Sequence, residues 1–91
     1  MTNDPQQLYK AFSLLKNEEE AQRFIVDLCT PNEIRAFSER LEIAKLLYKQ
    51  DLSYRDIAAK TGASTTTVAR VARFLNQEPH QGYKIILDRL K

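Results

Sequence analysis

Apolar residues recur every three or four positions along the chain, and no stretch alternates long enough to make a strand. Six helices follow from that spacing. The first begins after Asn3 or Asp4, takes Pro5 into its opening turn, and carries Leu8, Ala11, Phe12 and Leu15 on one stripe. Asn17 caps a second, whose first turn is Glu18, Glu19 and Glu20, where negative charge suits the positive end of the helix dipole. Its apolar face is Ala21, Phe24, Ile25 and Leu28. Thr30-Pro31-Asn32-Glu33 is a capping box that opens a third helix reaching Lys49, with Ile34, Phe37, Leu41, Ala44, Leu47 and Tyr48 as its stripe. At helical rise this rod spans roughly 29 Å, enough to be the axle of so small a domain. Ser53 to Asp56 is a second box; it starts a short helix that Gly62 stops, Ser64 caps the next as far as about Asn76, and a last helix after Pro79 presents Tyr83, Ile86, Leu87 and Leu90.

The pair on either side of Gly62 has the spacing of a helix-turn-helix, in which two helices meet steeply across a very short turn. With Tyr54 as the first position, Ala58 is small where the helices touch, and Gly62 stands where the chain reverses through a left-handed conformation. Ile57, Ala63, Val68 and Val71 fill the space between them, and Ala72 and Leu75 continue that inward face. Ser64 as cap leaves Thr65, Thr66 and Thr67 in the first turn of the second helix, the end that enters a major groove and whose N–H groups favour phosphate. Threonine hydroxyls donate or accept, and threonine methyls meet the methyl of thymine. Ala69 and Arg70 share that face one turn on, with Arg73 beyond, and Arg55 in the preceding helix reaches a phosphate or a guanine edge. The DNA-contacting set expected from spacing is therefore Arg55, Ser64, Thr65, Thr66, Thr67, Ala69, Arg70 and Arg73. The plainer reading has the threonines merely capping the helix and the arginines solvated.

Charge sharpens this picture only locally. The net charge is +2 over 91 residues. Residues 53 to 75 hold Arg55, Lys60, Arg70 and Arg73 against Asp56 alone, a surplus of three, so the rest of the chain is slightly acidic. A chain of this length makes one all-α domain over 1–91 and buries only about 60 to 65% of its unfolded surface. No run approaches the roughly 20 apolar residues of a membrane span, and the amino terminus has neither the basic end nor the apolar run of a signal peptide, which points to the cytoplasm. The lone Cys29 reads as a small buried hydrophobe and His80 as a loop residue. No catalytic residue, metal ligand or cofactor can be assembled from the sequence. Glu18 to Glu20 point in different directions on a helix and serve its dipole.

From Thr30 to Pro79 the chain resembles the Trp repressor family, without gaps and over more than half its length, most plainly in "TPNEIRAFSERLEIAKLLYKQDLSYRDIAAKTGASTTTVAR". The TP-x-E opening, Arg40, the Ser53 to Gly62-Ala63 unit and Arg70 carry the likeness. The resemblance implies an intertwined homodimer of six-helix, Trp repressor-like chains, with 1–50 supplying dimerisation helices, 53–76 the reading head and 79–91 a C-terminal helix. It also implies a ligand pocket at Arg40, Arg70, Val71 and Phe74, because two arginines at the first two positions flank the indole ring of tryptophan in that family. Here the family's small glycine is Val71, its serine is Phe74, and the leucines lent by the partner subunit fall at Asp27 and Cys29. Overfilling a packed site costs about 1 to 3 kcal/mol, so tryptophan is not expected as effector, and whether any other small molecule acts is left open.

The function expected is a dimeric, sequence-specific regulator of transcription, a repressor, whose partner is double-stranded DNA. Dimerisation follows physically too: one head reads few base pairs, and two heads one helical turn apart double the readout. The alternative is a ligand-sensing or protein-interaction module on the same scaffold without DNA binding, which the low net charge favours.

Overall fold

A computed structural model describes residues 3–90 of the chain. It contains six helices and, among the described residues, no strand: α1 (Pro5–Ser13), α2 (Glu18–Leu28), α3 (Pro31–Lys49), α4 (Tyr54–Thr61), α5 (Thr65–Asn76) and α6 (Gly82–Arg89). Most of their starts are fixed by side chains that satisfy orphan backbone N–H groups. Asp4 accepts from Gln6 N and Asn17 from Glu20 N. Thr30 and Glu33 close a reciprocal box, with Glu33 N donating to Thr30 Oγ1 at 3.1 Å and Thr30 N to Glu33 Oε1 at 2.8 Å. These caps depend on residues at most four apart, and each lies where the spacing predicts it.

The chain divides into two compact units, Met1–Ile34 and Arg35–Lys91. In the first, Phe12 and Phe24 meet edge to face at 5.4 Å, joining α1 to α2. Neither of these helices holds a buried residue. Their expected stripes are half covered at best, with Leu8, Phe12 and Leu28 exposed.

The second unit has the core. Ile43, Ala44 and Leu46 of α3 pack with Ile57 of α4, Val68, Val71 and Leu75 of α5, and Leu87 of α6. Burying each large aliphatic side chain contributes about 1.5 to 3 kcal/mol, so this cluster, not local propensity, sets the arrangement of α4, α5 and α6. The core face of α3 is rotated from the expected stripe: Phe37 and Tyr48 are exposed, while Ile43 is fully buried. Helix α3 carries apolar residues on more than one side, so spacing counted from its capping box selects a neighbouring face. Leu41 and Leu47 flank the cluster, together with Leu52, Ala58, Ala63 and Tyr83.

Helix α6 starts at Gly82, not directly after Pro79. Gln81 takes φ 64°, outside the right-handed helical region, so winding begins only at the next residue. Of its apolar residues, Leu87 is buried and Tyr83 half-buried, whereas Ile85, Ile86 and Leu90 are exposed. The Tyr48 hydroxyl of α3 donates to Asp88 Oδ1 of α6 at 2.5 Å. That bond, followed by desolvation and the carboxylate's charge, raises the Tyr48 pKa above its ordinary 10.0.

Candidate nucleic-acid interface

Helix α4 begins where Ser53 Oγ accepts from Asp56 N at 3.1 Å. It ends at Gly62, which has φ 80° and ψ 3° and donates its N–H to Ala58 O at 2.9 Å. A side chain that spacing does not single out helps hold the reversal. Thr61 Oγ1 donates to Ile57 O at 2.8 Å and accepts from Ala63 N at 3.3 Å, tying the last turn of α4 to the residue beyond Gly62. Its signal in the sequence is a Ser/Thr next to a glycine stop, where a hydroxyl can bond back to the helix and forward to the turn.

Helix α5 is divided lengthwise. Val68, Val71, Ala72 and Leu75 are buried, as the spacing predicts, and these positions make one face. Ser64, Thr65, Thr66, Ala69, Arg70 and Arg73 are exposed, and Thr67 is half-buried. The hydroxyls differ in duty. Ser64 Oγ accepts from Thr67 N at 3.1 Å and lies 3.0 Å from Thr67 Oγ1, so these two close the cap. Thr65 and Thr66 stand in the same first turn as exposed residues. Arg55 is exposed in the first turn of α4. A helix start of this kind, with its N–H groups and the positive end of its dipole, suits a phosphate.

The arginines of α5 are organised around a ring. Arg70 Cζ lies 4.5 Å and Arg73 Cζ 4.9 Å from the centroid of Phe74, and His80 stacks on the same phenyl at 6.0 Å and 18°. Glu78 approaches both Arg73 and His80 at 3.7 Å. Arg70, Phe74, His80, Gly82 and Tyr83 line a cleft of about 320 Å³. Of the four residues the resemblance assigns to a ligand pocket, Arg70 and Phe74 meet there. Val71 is fully buried in the core, and the Arg40 guanidinium lies 5.8 Å over Phe37 on its own helix. Among the described residues no three His, Cys, Asp or Glu side chains gather as metal ligands, and no helix is long and apolar enough to cross a membrane.

Comparison with known proteins agrees with this architecture. The family model described as Trp repressor protein matches residues 3–91. The uncharacterized protein YerC of Bacillus subtilis (strain 168) is 45% identical over 85 residues, covering 93% of this chain and 80% of that protein. Among solved structures, a TrpR-like protein of Eubacterium eligens is 47% identical and superposes with a TM-score of 0.82, covering 93% of this chain and 86% of the other. A suspected Trp repressor of Staphylococcus aureus is 41% identical with a TM-score of 0.84, covering 99% and 88%. The six helices, the turn at Gly62 and these likenesses along nearly the whole length have one meaning: the chain belongs to the Trp repressor protein family.

Proposed function

We propose that this protein is a DNA-binding regulator of transcription that acts as a homodimer, reading duplex DNA with the amino-terminal end of α5. One observation carries the reading. A helix whose inner face is fully committed to the core exposes Thr65, Thr66, Ala69, Arg70 and Arg73 on the other side, beginning at a capped start next to a left-handed turn. Such a helix is rigidly mounted, and its exposed residues combine hydroxyls and methyls for base edges with guanidiniums for phosphate or guanine. Arg55 supplies a further cation from α4. Ser64 and Thr67 take part by holding the cap, which leaves backbone N–H groups of the first turn for a phosphate.

The homodimer is supported by apolar surface. Helices α1 and α2 bury nothing fully, and Ile85, Ile86 and Leu90 of α6 remain 46%, 46% and 57% exposed. A second copy of the chain covers such residues in the proposed assembly. Tryptophan is not its effector, because Val71 fills the core position where the family's ligand needs a glycine's space.

Selection of binding duplexes from a random library, followed by anisotropy titration against salt, tests the function. The expected outcome is a palindromic site and a slope of log affinity on log salt of about −0.9 per neutralised phosphate. Enrichment of no sequence, with affinity indifferent to salt, would sink the reading.

A further inference from the structure

We propose that Phe74 is the positioning residue of the reading head: its ring holds the Arg70 and Arg73 guanidiniums in place before DNA arrives. The inference rests on the DNA-binding reading and adds to it a residue that itself touches no nucleic acid. Three observations converge on this ring. Arg70, one turn before it, and Arg73, its immediate neighbour, place their guanidinium carbons 4.5 and 4.9 Å from its centroid. His80 stacks on it at 6.0 Å, from the turn that leads into α6. Phe74 itself is half-buried and belongs to a helix anchored in the core by Val68, Val71 and Leu75, so its backbone is held.

The chemistry suits the task. A guanidinium attracted to a ring through its face keeps its N–H edge for in-plane partners, a phosphate or a guanine at Arg70 and a phosphate in competition with Glu78 at Arg73, since cation–π contact and in-plane hydrogen bonding use different parts of the group. An unheld arginine loses rotamer freedom when it docks, whereas one already stacked has lost much of it beforehand. A leucine side chain fills similar apolar space yet offers no π face.

The test compares wild type, Phe74→Leu and Phe74→Tyr on a mixed-sequence duplex and on the duplex recovered by selection, with no small molecule added. Phe74→Leu should weaken binding roughly tenfold, the scale of two side chains set free, and shift the salt dependence, while Phe74→Tyr keeps the wild-type affinity. Equal affinity and equal salt slope for wild type and Phe74→Leu would overturn the inference and leave the regulator reading standing. Failure of the wild type to bind either duplex would overturn that reading instead, and this inference with it. A measurement on the free wild-type protein needs no variant: the side-chain protons of Arg70 and Arg73 nearest the guanidinium should be displaced upfield by the ring current of Phe74. Undisplaced resonances refute the clamp whatever the variants do, and a Phe74→Leu protein that fails to fold does not affect this readout.

Discussion

Replacing Gly62 by alanine isolates the energetics of the turn. The residue has φ 80°, and a Cβ built there meets no atom within 4 Å beyond its two chain neighbours. Steric conflict with the rest of the molecule therefore contributes nothing, and the whole cost is that of holding an L-residue in a left-handed conformation, about 1 to 2 kcal/mol. Alanine also restricts the unfolded chain, which returns about 0.4 to 1 kcal/mol. The net expectation is a loss of about 1 kcal/mol, or roughly 4 to 8 °C in Tm for a domain of this size. Gly62→Asn, whose side chain tolerates the same conformation, should lose clearly less. Thermal unfolding followed by far-ultraviolet circular dichroism reads both, at one fixed protein concentration so that any assembly equilibrium is held constant. A loss above about 3 kcal/mol for alanine would mean a clash that open space excludes. An asparagine variant as unstable as the alanine one would show that backbone handedness is not what the glycine supplies.

Three further outcomes can be measured. Ser64→Ala should cost about 1 kcal/mol because the Thr67 N–H loses its acceptor, whereas Ser64→Asp keeps a cap and the stability but puts a negative charge at the tip and should abolish DNA binding. Tyr48 has a folded-state pKa above its ordinary 10.0, so its hydrogen bond to Asp88 stabilises fully below that value and is lost as pH rises through the raised one. Tyr48→Phe should thus remove part of the alkaline decline in Tm, which thermal unfolding at a series of alkaline pH values reads. Glu78→Gln removes a carboxylate 3.7 Å from Arg73 and from His80, and should strengthen binding to duplex DNA by roughly two- to fivefold at low salt, the scale of an exposed ion pair. An unchanged dissociation constant would show that the carboxylate does not compete with phosphate.

What the sequence discloses is mostly local. Capping at Asn17, Thr30, Ser53 and Ser64, the stop at Gly62 and the inward set Val68, Val71, Ala72 and Leu75 depend on neighbours within a turn or two, so residue type and spacing suffice. Spacing misassigns the face of α3 because that helix is apolar on several sides, and only its tertiary neighbours decide that Ile43 goes in while Phe37 stays out. The start of α6 is hidden for another reason: glutamine is not a residue that announces a left-handed backbone, yet Gln81 adopts one. The ring beneath the arginines has a visible signal, Arg70 and Phe74 four apart with Arg73 adjacent. It is easily passed over, because beside a ligand pocket Phe74 counts only as an obstacle.

The lengthwise division of α5 bears on how such proteins diversify. Its anchoring side chains and its outward ones are different residues, and exposed substitutions typically shift stability by no more than about 0.5 kcal/mol. Thr65, Thr66 and Ala69 can therefore be rewritten in a duplicated copy at almost no risk to folding, so that in the proposed regulator new preferences can be tried by single substitutions while the mounting stays intact.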